Sequence, residues 1–177
     1  MFNLKMSVLA AALISASTFA VHAADQGSGT VTFTGSIIDA PCSITPQSSD
    51  QVVPLGQISA ALLANQGTST PQTFTIDLEK CDLAALMDSV SITFSGMEDS
   101  IDNSLLGIVG DAKGAGIVIT SGNGTAIKLG EASSAQTLAT GNNTLLFSAY
   151  LKGSSATPGS VEPGQFTSVT NFTLAYQ

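Results

Sequence analysis

The feature that most constrains this chain is a period of two. Phe74, Ile76 and Leu78 alternate with Thr75, Asp77 and Glu79. Val90, Ile92 and Phe94 repeat the pattern, as do Leu145, Phe147, Ala149 and Leu151, and then Phe172, Leu174 and Tyr176. Successive side chains of a strand point to opposite faces, so each run reads as a strand with one buried and one wetted face. Near the start, Thr30-Val31-Thr32-Phe33-Thr34 alternates in the same way, and Ile37 and Ile38 continue the extended run until Ala40-Pro41-Cys42 interrupts it. Ile117-Val118-Ile119 is a short continuous apolar run, the pattern of a strand covered on both sides. Turn residues punctuate these runs. Asn123-Gly124 predicts a tight turn before Ile127–Leu129, Gly141-Asn142-Asn143 separates two further runs, and the stretch from Gly153 to Gly164 reads as a loop. Helical signals amount to single turns, one from Ser59 to Ala64 with Ser59 as N-cap and one from Asp82 to Met87. Seven or so short strands in about 150 residues predict an all-β, immunoglobulin-like sandwich.

The first residues stand outside this pattern. Lys5 precedes an apolar run from Met6 to about Val21, and Val21-His22-Ala23 closes it with small residues in an A-x-A-like arrangement. A charged start, a short greasy middle and such a site predict a secretory signal peptide over residues 1–23. The run is too short and too rich in Ser and Ala for a membrane span. Cleavage would remove His22, the only histidine, and leave four of the five lysines against thirteen acidic residues, with no arginine at all. A mature chain of that composition lacks a histidine base, a Ser-His-Asp triad and an arginine clamp for phosphate. Its negative charge opposes nucleic acid and anionic membrane surfaces alike. Cys42 and Cys81 are the only cysteines. In an exported chain they predict one disulfide, closing a roughly 40-residue loop worth about 3–4 kcal/mol. Two thiols without histidine fall short of a tetrahedral metal site. No cofactor is expected.

The segment Ala24–Gly29 has almost nothing to bury and reads as an arm. Gly27, Gly29 and Gly35 fall in phase with Val31 and Phe33, and glycine on the apolar face of a strand marks the close approach of another backbone.

Four stretches together resemble one family. Gly29-x-Val31-x-Phe33-x-Gly35-x-Ile37 followed by Ala40-Pro41-Cys42 is similar to the N-terminus of chaperone–usher pilins. Val53-Pro54-Leu55-Gly56 resembles the short strand that follows it there. Phe74-x-Ile76-x-Leu78-x-x-Cys81 resembles the second-cysteine segment, and Phe172-x-Leu174-x-Tyr176-Gln177 the C-terminal strand. The resemblance covers residues 24–177 in order and is best to major subunits of type 1, P and mannose-resistant Proteus-like fimbriae. It implies an incomplete immunoglobulin-like domain, residues 37–177, that lacks its last strand, with an N-terminal donor-strand extension over residues 24–36. The implied function is that of a structural subunit of a cell-surface fimbria, exported through the periplasm and polymerising with identical or related subunits. A periplasmic chaperone and an outer-membrane usher are the implied partners; nucleic acid and direct membrane insertion are not. By the same resemblance Val31 and Phe33 fill a neighbour's groove, Gly29 lets the strand lie close, and Phe172, Leu174 and Tyr176 form the groove's edge and the strand a chaperone recognises.

Two other readings fit parts of the sequence. A minor or adaptor pilin would share every motif, and a carbohydrate-binding tip module could use the same fold, although Tyr150 and Tyr176 offer few aromatic platforms for a sugar. Catalysis finds little support. Thr125-x-x-Lys128 has a nucleophile-to-lysine spacing in the wrong context, and Asp99 with Asp102 reads as a solvated pair in a polar turn.

Overall fold

The computed structural model describes residues 28–83, 87–154 and 160–177. The expected signal peptide and the first residues of the arm lie outside them. The chain divides between Ile37 and Ile38 into two units. In the first, residues 28–37 form no strand and are exposed throughout.

The second unit is β-rich. Its strands are β1 (Ser43–Ile44), β2 (Gln72–Cys81), β3 (Ser89–Gly96), β4 (Val109–Gly110), β5 (Ala115–Ser121), β6 (Ala126–Ile127), β7 (Gln136–Thr137), β8 (Gly141–Gly153), β9 (Phe166–Thr167) and β10 (Thr170–Tyr176). A five-stranded sheet runs β1-β2-β8-β5-β6, a three-stranded sheet runs β10-β3-β7, and β4 pairs with β9 in a short ribbon. Every strand pairing among the described residues is antiparallel. The periodicity predicted the long strands well. Ile76 and Leu78 of β2, Val90, Ile92 and Phe94 of β3, and Leu145, Phe147 and Leu151 of β8 are all buried. Phe74, Phe94 and Phe147 bring the sheets together, with ring centroids 5.5–6.4 Å apart in edge-on and stacked contacts, a geometry that adds to their burial. All of β5 is buried, as its continuous apolar run predicted. Part of the reason is that Leu105 lies over Gly116, where an added Cβ would come within 2.6 Å of the leucine's own.

The expected turn forms at Asn123-Gly124: the Gly124 amide donates to the Ser121 carbonyl at 2.8 Å, and Gly124 takes φ +83°. Ser59 stands at the N-cap of α1, here Ala60–Leu63, although its hydroxyl makes no cap bond. A second single turn, α-helical over Pro46–Ser49, was not anticipated.

Three expectations need correction. Val53–Gly56 forms no strand, since Pro54 has no N–H to give a ladder and Gly56 turns the chain at φ +80°. Gly141-Asn142-Asn143 opens β8 instead of separating two strands, with Gly141 at φ +98° as the entry kink. The Gly153–Gly164 stretch is partly ordered by pairing: Gly153 closes β8, and Lys113 bridges Glu162 through its backbone. Residues 155–159 lie outside the described residues. So do residues 84–86 of the expected Asp82–Met87 turn, and Asp82, Leu83 and Met87 are not helical.

Candidate functional site: an open groove beside the last strand

The two sheets are unequal, five strands facing three. The core they enclose is therefore not covered along one side of β10. A groove of about 1050 Å³ opens there. Its floor is built from Phe74, Ile76, Ile117 and Leu151, one wall from Leu55 and Ile58, and the other from Phe166 and Phe172. Phe74, Leu55, Ile58, Phe166 and Phe172 pack on the core yet stay partly exposed. Each follows from its strand: Phe172 sits on the inward phase of β10, whose residues alternate between half-buried and exposed, and Phe74 starts the inward phase of β2.

The main chain of β10 is open on the same side. Ser89 and Gln177 exchange both backbone hydrogen bonds, at 3.2 and 2.9 Å. In an antiparallel ladder such doubly bonded pairs alternate with pairs whose N–H and C=O point away. With Phe172 opposite Phe94, Leu174 opposite Ile92 and Tyr176 opposite Val90, these three residues direct their peptide groups to the free edge. β10 pairs with β3 alone among the described residues. The edge thus presents a row of N–H and C=O groups without strand partners, beside a trough of apolar side chains. Chemically it can do one thing well: accept an extended segment whose alternate side chains are apolar.

Of the residues singled out in the sequence, Phe172 lines the groove, whereas Leu174 and Tyr176 continue the edge beyond it. The Tyr176 hydroxyl is buried with no hydrogen-bond partner, and burial raises its pKa above the ordinary value near 10. Val31, Phe33 and Gly29 belong to the first unit, where Val31 is 74% and Phe33 89% exposed. Ile37, in phase with them, is fully exposed and extends the apolar stripe past the expected limit of the arm. The Cys42–Cys81 disulfide is formed and fastens the two-residue strand β1 to the end of β2.

Sequence reasoning missed the groove wall at Ile58, Ile108, Val161 and Phe166. These residues sit in strands of two residues or in irregular segments, too short for a period to show. The acidic pair is structural. Asp99 accepts from the amides of Ile101 and Asp102. Asp102 accepts from the Ser104 hydroxyl and approaches Lys152 at 3.6 Å, and the Ser104 hydrogen bond is the main cause holding its carboxyl below the usual range. Among the described residues no three His, Cys, Asp or Glu side chains group to hold a metal, and no helix is long and apolar enough to cross a membrane.

Comparison with known proteins matches this geometry to a family. The sequence model of the fimbrial protein family matches residues 31–177. The chain is 52% identical to the Fimbria A protein of Serratia marcescens over 99% of both chains. It is 51% identical to the major MR/P fimbria protein of Proteus mirabilis, covering 88% of this chain and 87% of that one. Among solved structures, a chaperone–usher pilus described in connection with rod uncoiling superposes with a TM-score of 0.75 at 36% identity, over 86% of this chain and 97% of the other. The P pilus rod subunit PapA superposes with a TM-score of 0.69 at 32% identity, over 78% of this chain and all of the other. An immunoglobulin-like sandwich with an uncovered core, joined to these likenesses over nearly the whole length, shows that the chain belongs to the fimbrial protein family and is a structural subunit of a bacterial pilus.

Proposed function

We propose that this subunit polymerises by strand donation: the arm of one copy enters the groove of the next and completes its smaller sheet. The observation that carries the reading is the coincidence of the open β10 edge with the apolar trough beside it. Such an edge aggregates unless it is covered, and a strand with apolar side chains at alternate positions covers both features at once. Val31, Phe33 and Ile37 supply that stripe and are solvent-exposed in the free chain. Gly29 and Gly35 sit in the same phase and let the two backbones approach closely. Phe172 lines the receiving trough, and Leu174 and Tyr176 continue its edge.

Before polymerisation the groove needs a temporary occupant, the role of a periplasmic chaperone that lends a strand, and an outer-membrane usher is the place of exchange. On this reading the chain loses residues 1–23 on export to the periplasm, before it meets the chaperone, and ends displayed in a cell-surface fimbria. Both cysteines meet an oxidising compartment on that route, in keeping with their disulfide.

The test compares residues 24–177 with a version lacking residues 24–37, each released from its chaperone, by light scattering. The full chain is expected to form long oligomers. The truncated chain should remain monomeric and gain stability from a synthetic peptide of residues 24–37. Equal polymerisation of both, or a truncated chain indifferent to the peptide, rules out the arm as connector.

A further inference from the structure

A second contact between successive subunits follows from where a donated strand must leave the groove, and it rests on the strand-donation reading. Every strand pairing among the described residues is antiparallel, and an added strand that keeps this pattern beside β10 is antiparallel too. Its C-terminal end then emerges at the Thr170 end of β10. The tether beyond it is short. Pro41 is already fixed to the donor's own domain, its carbonyl accepting from the Asp82 amide at 2.9 Å. From Ile37 to Pro41 is four residue steps, at most about 14 Å even if fully extended. The donor's domain must therefore lie close against the Thr170 end of the acceptor.

That end carries an exposed apolar corner. Met97, Val109 and Val169 are each more than half exposed; Val169 also lines the end of the groove, whereas Met97 and Val109 lie outside it. Continuing the β3–β10 register beyond Thr170 and Gly96 sets Val169 opposite Met97. Val109 faces Thr167 across the β4–β9 ribbon, and Thr167 and Val169 share the outward phase. Two hydrogen bonds tie these segments together: the Gly107 amide donates to the Met97 carbonyl at 2.7 Å, and the Ser168 hydroxyl donates to the Gly107 carbonyl at 2.6 Å. Beyond the corner, the outward phase of β10 and β3 carries Thr93, Ser95, Asn171, Thr173 and Ala175, none of them large and apolar. Exposed apolar side chains gathered at one corner mark an interaction site more often than scattered ones do. The donor's tether brings its own exposed apolar residue, Ile38.

We infer that Met97, Val109 and Val169 form a second interface, which receives the base of the next copy's domain around Ile38 and fixes the angle between successive subunits. A joint held by the strand alone would swivel about the four-residue tether; one seated on this corner would not.

Paired cysteine substitutions in the full mature chain test the placement. Fibres carrying Ile38→Cys with Met97→Cys, treated with a short bismaleimide, should give a ladder of covalent oligomers after denaturation. Fibres carrying Ile38→Cys with Asp88→Cys, at the opposite end of β3, should give none. A ladder from the Asp88 pair, equal ladders from both, or none from either overturns the inference. Failure of the unsubstituted chain to polymerise through its arm would instead overturn the reading beneath it. A second measurement uses Met97→Gln with Val109→Thr, neither of which lines the groove. Binding of the residue 24–37 peptide should be unchanged, while dissociation of assembled subunits accelerates on the order of tenfold, since interface changes act mainly on the off-rate. Unchanged dissociation, or peptide binding weakened to the same degree, counts against a separate contact.

Discussion

Replacing Phe33 with alanine separates assembly from folding. Phe33 is 89% exposed in the free chain, so its side chain contributes almost nothing to the subunit's own core. In a donated strand the ring would enter the apolar trough that Phe74 and Phe172 help to line. A phenylalanine buries about 150–250 Å², which at about 25 cal/mol per Å² amounts to roughly 4–6 kcal/mol. Part of that is retained by the alanine and part is offset by the lost freedom of the side chain, so truncation should cost the joint about 3 kcal/mol. That is roughly a hundredfold in affinity. The assay titrates fluorescently labelled peptides of residues 24–37 into the chaperone-released subunit lacking its own arm. The Phe33→Ala peptide should bind about a hundredfold more weakly. Thr32→Ala, out of phase with the stripe, should stay within about 0.5 kcal/mol of the unsubstituted peptide. In the full-length subunit held monomeric by its chaperone, Phe33→Ala should leave the unfolding midpoint unchanged. Phe94→Ala, which opens the aromatic cluster, should lower stability by about 3–5 kcal/mol. If Phe33→Ala destabilises the monomer as a core substitution does, or if its peptide binds normally, the assignment of Phe33 to a neighbour's groove is wrong.

Other expectations follow from the same structure. Reducing the Cys42–Cys81 bond, whose partners lie 39 positions apart, should cost about 3–4 kcal/mol by chain entropy, seen as a lower urea midpoint with reductant; β1 has only two paired residues to replace it. Gly153→Ala would set a Cβ 2.1 Å from the Leu63 carbonyl, pushing α1 off β8, and should lower stability by more than about 2 kcal/mol in denaturant. Gly130→Ala meets open space but sits at φ +74°, so it should cost about 1 kcal/mol in the same titration. Burial raises the Tyr176 pKa in the folded state. The folded chain therefore holds this proton more tightly than the unfolded one, and stability is full below pH 10 and falls as pH rises above it. Tyr176→Phe should flatten that alkaline decline in pH-dependent unfolding and, by removing a buried hydroxyl with no partner, should not destabilise at neutral pH.

The period of two carried the fold a long way. It placed β2, β3, β8 and β10 and the buried face of each, because alternation over five to seven residues has one structural meaning when one face must be dry. The stripe Val31, Phe33 and Ile37 was equally legible as an apolar strand face with glycine in phase. Its setting was not. A strand of one's own and a strand meant for a neighbour have the same sequence pattern, and only the exposure of all three side chains tells them apart. The groove lay further still from the sequence. Its walls come from Leu55, Ile58, Val161 and Phe166, distant in the chain and in segments too short for periodicity. Its existence depends on a count that no local pattern encodes, five strands packed on three. Local alternation determines which residues face inward; the number of strands that arrive to cover them is settled by long-range pairing, and the tertiary structure alone shows β10 paired on one side only among the described residues.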